Sequence, residues 1–310
     1  MPISEKQREQ RRTHVGSSDA ATILGFCPTD DSGEPYSTRY DVWAQKHYAT
    51  APDKTSAPAE LGNILEDAIL EQCARRVWGY HTPKEQKAGV SHGARRFAYR
   101  RNQRRVEGRV AANVDAAFRD LIDGRKCCME AKSTGRWQEW GDEDWSDTTG
   151  RSVPPHVLIQ AQAHCYAGGF DRCYVAVLLP GYKSLEHRVY PVDRDDELIA
   201  LMVQEIDRFW TEHVEPGVPP EDISHTAVPI LQRVLRVPEK VVPIEAGVVE
   251  AWESAKVAEK AAILAAKEAR AIVLDQVGNA EAGDYGDPDQ WLTYFQNKRG
   301  VRTLRTQKKK

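Results

Sequence analysis

The chain lacks the features that would place it in or across a membrane. No segment approaches the ~20 apolar residues needed to span a bilayer. The opening MPISEKQREQRRTH has none of the apolar core of a secretory signal. A cytoplasmic location and no membrane partner are the expectations. The six cysteines (Cys27, Cys73, Cys127, Cys128, Cys165 and Cys173) form no C-x-x-C pair, and none stands at a zinc-site spacing from a histidine. Neither a disulfide framework, an iron–sulfur cluster nor a zinc site is therefore expected. Cys73, Cys165 and Cys173 sit among apolar neighbours and read as small core residues. Internal repeats are absent, and so is strong charge of one sign, since the formal net charge is −3 over 310 residues.

What charge there is falls unevenly. Seven arginines occur between Arg95 and Arg109 (positions 95, 96, 100, 101, 104, 105 and 109), and Lys298 to Lys310 forms a basic tail. Basic stripes on a near-neutral chain fit one face that meets phosphates. The tail reads equally well as a solvated chain end.

Residues 16–25 (GSSDAATILG) read as a short helix with polar caps at its start and Gly25 at its end. A second helix is expected from about Ser37 to His47. From Ala59 to Trp78, Leu61, Ile64, Leu65, Ala68, Ile69, Cys73 and Val77 recur at three and four, the period of an amphipathic helix. Glu66 lies beside that stripe. Residues 106–119 and 124–133 read as strands joined by a turn at Asp123-Gly124. A tryptophan-rich loop with Trp137, Trp140 and Trp145 follows, and these rings either stack on bases or anchor the loop. Pro154-Pro155 starts a helix that ends at Gly168-Gly169. CYVAVLL (173–179) predicts a strand covered on both faces, with a neighbour at 186–192 and a helix over 195–213. A proline-rich break at 216–220 predicts the boundary between a domain 1–215 and an extension 216–310. That extension holds a long alanine-rich helix (246–278) and a small hairpin. The order predicts an α/β core, a mixed sheet flanked by helices.

The chemistry concentrates at Asn113-Val114-Asp115 and, after fourteen intervening residues, Glu130-Ala131-Lys132. Residues two apart on a strand share a face, so Glu130 and Lys132 project together, and a turn can bring Asp115 beside them. Two carboxylates sharing a hard divalent cation is the usual geometry for Mg²⁺. Such a metal acidifies water and polarises a phosphoryl oxygen, while a lysine stabilises developing charge. The alternative is a solvated cross-strand ion pair. Apolar neighbours (Val114, Ala116-Ala117-Phe118, Cys127-Cys128-Met129) argue against mere surface decoration. Gln160 and His164 share a helix face, and a lone histidine there reads as core packing.

Five ordered motifs resemble the lambda exonuclease family and its YqaJ-type viral recombinase relatives, within the PD-(D/E)xK nuclease superfamily. They are Gly16-Ser17-Ser18-Asp19, Gly62 to Glu66, Asn113 to Asp115, Glu130 to Lys132, and Gln160 to Gln162. Val114 stands where the family usually has proline, and the region after Pro216 has no match. The resemblance implies a PD-(D/E)xK restriction-endonuclease-like core. It implies Asp115 and Glu130 as metal ligands joined by Glu66, Lys132 as the catalytic lysine and Gln160 as a site residue, with Gln162 structural. It places Ser18, with Arg11 or Arg12 as a phosphate clamp, at the 5′ end of DNA, where a helix start favours phosphate. It further implies Mg²⁺, with Mn²⁺ as a substitute, 5′ to 3′ digestion of linear duplex DNA in phage-type recombination, a ring-shaped homotrimer and a single-strand annealing partner. A phage-encoded chain would work in its bacterial host's cytoplasm. An endonuclease or RecB-type repair nuclease of the same fold, and a non-catalytic DNA-binding or assembly protein, are the competing readings.

Overall fold

The computed structural model describes residues 11–51, 57–78, 100–120, 123–181, 184–296 and 302–308. Arg95 and Arg96 lie outside them. The chain parts into two compact units, Met1–Arg236 and Val237–Lys310. The first unit is a mixed α/β structure built on one sheet.

Its elements are β1 (Val15–Gly16), α1 (Ser17–Ile23), α2 (Arg39–His47), α3 (Ala57–Trp78), β2 (Arg100–Glu107), β3 (Val110–Arg119), β4 (Lys126–Ser133), α4 (Pro155–Gly168), β5 (Arg172–Pro180), β6 (Leu185–Asp193) and α5 (Asp196–Phe209). Local chemistry sets the helix ends. At α2, Thr38 Oγ1 accepts from Asp41 N–H, and Asp41 returns the contact to Thr38 N–H at 2.9 Å. Pro155 opens α4, and Gly169, at φ 60°, closes it in the left-handed conformation.

The strand order is β1-β3-β4-β5-β6, with β2 also on β3. β3 runs antiparallel to β2 and β4, β4 is parallel to β5 through α4, and β5 is antiparallel to β6. The strand expected over 106–119 is two. Gly108, at φ 52°, turns the chain, and the basic stretch 100–107 becomes strand β2 beside β3.

Apolar cores lie on both faces. α4 and α1 cover one, where Val110, Ala112, Val114, Cys128, Cys173, Val175 and Val177 pack. α3 covers the other with Ile69, Leu70, Cys73 and Ala74 against Ala116, Phe118, Met129, Tyr174 and Ala176. That double cover accounts for the unbroken apolar run of β5. The apolar stripe of α3 is buried only from Ile69 onward. Leu61 and Ile64, expected in the core, are exposed because the sheet contacts come from the later turns.

Residues 217–236 belong with the first unit: Asp222 accepts the N–H groups of Arg39 and Tyr40, both at 2.9 Å. The second unit holds the 32-residue helix α6 (Ala246–Val277) and an antiparallel sheet of β7 (Ala282–Gly283), β8 (Gln290–Gln296) and β9 (Arg302–Lys308). Along α6, Val277 is the buried residue. Among the described residues no helix is long and apolar enough to cross a membrane.

Candidate active site

The site forms where two strands separate. β3 and β4 pair from Arg119↔Lys126 to Ala116↔Met129 and no further, while β4 continues alongside β5 with Glu130↔Val175. Beyond that point Ala131 N–H donates to the carboxylate of Asp115 (Oδ2, 2.8 Å). A side chain thus satisfies a backbone group that the ladder has dropped. β3 changes phase here: Val110, Ala112 and Val114 belong to one core, Ala116 and Phe118 to the other. Asn102 of β2, which the register places opposite Asp115, has φ 50° and falls out of the pairing. Asparagine is among the few side chains that tolerate this conformation.

Glu130 and Lys132 project toward α4, which presents Gln160 and His164 one turn apart. Lys132 Nζ lies 2.7 Å from Glu130 Oε1. Gln160 Nε2 donates to the same oxygen at 2.7 Å, and Gln160 Oε1 accepts from Lys132 Nζ at 2.8 Å. Glu66, half-buried on α3, approaches Asp115 closely enough to raise its pKa. Of the five side chains expected in the catalytic set, Glu130, Lys132 and Gln160 are in direct contact, Asp115 lies beside them on Ala131 N–H, and Glu66 is near enough to Asp115 to act on its charge. Gln162 faces elsewhere, donating to Asp193 O and accepting from Asp195 N–H, and so ties β6 to α5.

Burial, then the charge of Glu130, pushes the Asp115 carboxyl up to about 8. Burial also opposes charge on Glu130, but Lys132 and then His164 outweigh it and hold this carboxyl below its usual range. Lys132, half-buried, is held above the ordinary lysine value by Glu130 against the opposing effect of burial. Burial thus favours the neutral form of Asp115, while Glu130 and Lys132 each favour the charged form of the other. Glu130 is 5% exposed and its Oε2 has no hydrogen-bond partner among the described residues. Such a donor set is short of positive charge. Oxygen donors with a carboxyl that keeps its proton for want of a counter-charge fit a hard divalent cation.

The sequence spacing also missed a buried group. His164 and the thiols of Cys128 and Cys173 bring potential ligand atoms within 4.8 Å of one another. Burial holds the Cys128 thiol well above its ordinary pKa, and that of Cys173 is raised too. Protonated thiols are poor metal ligands.

At the start of α1, Ser18 is exposed, whereas Ser17 is buried with its hydroxyl 3.0 Å from His164 Nε2. This contact sets the first turn of α1 beside the carboxylate cluster. Arg11 is exposed, and Arg12 donates to Lys46 O at 3.3 Å. Lys46, also missed, is wholly buried with Nζ 3.4 Å from Asp19 Oδ2. In the basic stretch, Arg109 is committed to Asp207 (3.3 Å) and Glu215 (3.0 Å). Trp140 is buried against Tyr190, while Trp137 and Trp145 remain open to solvent. His156, half-buried on α4, feels the charge of Lys132 after burial in the lowering of its pKa. The one sequence clue to His164 was its position four residues after Gln160.

The model of the YqaJ-like viral recombinase domain matches residues 7–171. The uncharacterized protein YqaJ of Bacillus subtilis (strain 168) is 27% identical over 226 residues, which is 70% of this chain and 60% of that protein. The chain therefore spans about 60% of the length of the curated relative it matches. Among solved structures it is similar to an alkaline exonuclease (LHK-Exo) from Laribacter hongkongensis, at 17% identity over 69% of this chain and 94% of that one, with a TM-score of 0.44. The same exonuclease in complex with dAMP gives 17% identity, the same coverage and a TM-score of 0.46. With its match spanning more than half of the sequence and taking in Glu66, Asp115, Glu130, Lys132 and Gln160, the chain belongs to the YqaJ-like viral recombinase domain family.

Proposed function

We propose that this chain is a divalent-metal-dependent deoxyribonuclease that digests one strand of linear duplex DNA from an end. The observation that supports it most directly is the buried cluster in which Glu130 Oε1 is held by both Lys132 Nζ and Gln160 Nε2 at 2.7 Å, beside an Asp115 carboxyl pushed up to about 8. A fold tolerates so much buried ionisable chemistry where the chemistry is used. The family's description as a viral recombinase supports DNA as substrate and recombination as the setting. We assign the activity to residues 1–215 and treat 216–310 as an extension whose first part, 217–236, packs with that unit.

Asp115, Glu130 and Glu66 would hold the cation, Mg²⁺ with Mn²⁺ as a substitute. When bound, it supplies Lewis-acid polarisation of the phosphoryl group and acidifies water. The chain's own residues do the rest. Lys132 presents a fixed positive charge to the charge that develops on the scissile phosphate. Gln160 grips Lys132 with its oxygen and Glu130 with its nitrogen, so neither can rotate away. Ser18, with Arg11 or Arg12, would receive the 5′ phosphate, setting 5′ to 3′ direction. A homotrimeric ring around DNA and a single-strand annealing partner complete the proposal.

The test is a digestion of linear and covalently closed duplex DNA, labelled at the 5′ or 3′ end, by wild-type and Lys132→Ala protein with Mg²⁺ or EDTA. The proposal expects loss of linear DNA from the 5′ end, abolished by EDTA and by the substitution. Cutting of the closed circle would make it an endonuclease. DNA binding with no cutting would make it a non-catalytic assembly protein.

A further inference from the structure

His164 is the most deeply buried polar side chain near the site, and the nuclease chemistry above gives it no task. Its relative exposure is 0%, and each ring nitrogen faces a group from a different part of the chain. Nε2 lies 3.0 Å from the hydroxyl of Ser17, in the first turn of α1. Nδ1 lies 3.5 Å from Glu130 Oε2. Neither of those last two atoms has a hydrogen-bond partner in ordinary reach, although both are buried. An uncompensated buried carboxylate oxygen is costly, and a ring N–H is the group beside it that can offset the cost.

The tautomer follows from the two neighbours. Glu130 Oε2 only accepts, so a lone pair on Nδ1 would meet another lone pair. A hydrogen on Nδ1 would instead put a positive edge 3.5 Å from the carboxylate oxygen, a contact a small shift of either group turns into a hydrogen bond. Nε2 then accepts, and the Ser17 hydroxyl is the donor that fixes it so. The resulting chain runs Ser17 O–H to His164 Nε2, then His164 Nδ1–H toward Glu130 Oε2. Glu130 has its other oxygen committed to Lys132 and Gln160. His164 is therefore placed to set the angle of the carboxylate about its own bond.

We infer that His164 is a positioning residue: it orients the Glu130 carboxylate for the divalent cation and, through Ser17, ties that orientation to the start of α1. The inference rests on the nuclease reading, because it concerns the same carboxylate. It goes beyond that reading by giving a role to two residues outside the proposed catalytic and DNA-binding sets, and by joining the metal ligands to the segment proposed to meet the DNA end. Partners of this kind, behind metal ligands, typically change metal affinity or activity by about 10- to 100-fold when removed.

The experiment measures Mn²⁺ binding to the full chain by electron paramagnetic resonance, with the metal alone as probe. Mg²⁺-dependent digestion of linear duplex DNA is followed alongside, with kcat and KM separated. His164→Leu fills the space but has no N–H, His164→Asn restores a donor at the Nδ1 position, and Ser17→Ala removes the tether. The expected result is a rise of about 10- to 100-fold in the Mn²⁺ dissociation constant for His164→Leu, with KM for DNA nearly unchanged. His164→Asn should recover most of the affinity, and Ser17→Ala should fall between. A His164→Leu protein that folds and binds Mn²⁺ like wild type overturns the inference. So does equal weakening by Leu and Asn, which would indicate packing alone. If His164→Leu does not fold, Ser17→Ala decides: wild-type Mn²⁺ affinity there overturns the inference too. Failure of the nuclease reading looks different, because wild-type protein would then leave DNA intact whatever its affinity for Mn²⁺.

Discussion

The two faces of the central sheet use the same strands to opposite ends. Toward α3, β4 sends Cys127 and Met129, which pack with Ile69, Leu70, Phe118 and Tyr174 in a mainly apolar layer whose polar groups lie at its margin. Toward α4, alternate residues of that strand are Cys128, Glu130 and Lys132. There the core admits a carboxylate, an ammonium, Gln160 and His164. Burying an ion costs several kcal/mol unless it is paired and hydrogen-bonded, and a sheet needs no such group to be stable. One face thus shows what folding alone requires, and the other carries buried charge that folding does not require, on the face where we propose the chemistry.

The contrast is sharpened most by Lys132→Ala and Glu130→Gln. Each should reduce DNA digestion by about 100- to 1000-fold or more, the usual effect of removing a group that stabilises transition-state charge. Thermal denaturation should show both variants still folded. On the opposite face, Met129→Ala should do the reverse. It removes a fully buried side chain and should cost about 2–5 kcal/mol in denaturant unfolding, with kcat near wild type at low temperature.

Glu66→Gln should have a smaller effect, because Glu66 joins the cluster from another helix and is only half-buried. A rise of about tenfold in the Mn²⁺ concentration for half-maximal digestion would fit its role. If the metal requirement were untouched, Glu66 would be an ordinary helix glutamate.

A subtler difference lies in pH. The folded Asp115 carboxyl is raised to about 8, mainly by burial, against an unfolded value near 4. Folding therefore binds a proton between those limits. In EDTA, the stabilisation is complete below about pH 4 and is lost as pH rises toward 8, by up to about 1.4 kcal/mol per pH unit. Asp115→Asn should flatten that slope in melting curves between pH 5 and 8. A divalent cation should flatten it as well, by replacing the proton. A wild-type slope that persists in Asp115→Asn would place its origin in another group. Smallest of all should be Trp137→Ala, at an exposed position. A change in digestion rate within about twofold is expected unless that ring stacks on bases, where about 1–3 kcal/mol would be lost.

Much of this arrangement was readable in the sequence. The 3–4 spacing after Ala59 marked α3 and the register of Glu66, and CYVAVLL marked a strand covered on both sides. The two-residue spacing of Glu130 and Lys132 put them on one face. Other features were not readable. The break between β2 and β3 turned on the φ of one glycine, Gly108. The stripe of α3 pointed to Leu61 and Ile64 as core, but an amphipathic face says which side is apolar and not how far along its length the sheet reaches. His164 passed for core packing because its partner Ser17 is 147 positions away.

By itself, then, the sequence determined the elements, the faces and the residues able to do the chemistry, since strand and helix periods are local and act over a few residues. The tertiary structure alone decided where β3 and β4 part, that burial raises the Asp115 carboxyl while Lys132 holds that of Glu130 down, and that Ser17 and Glu130 flank the His164 ring. Those outcomes depend on burial and on distances between segments far apart in the chain, where electrostatic energies change steeply over a few ångströms.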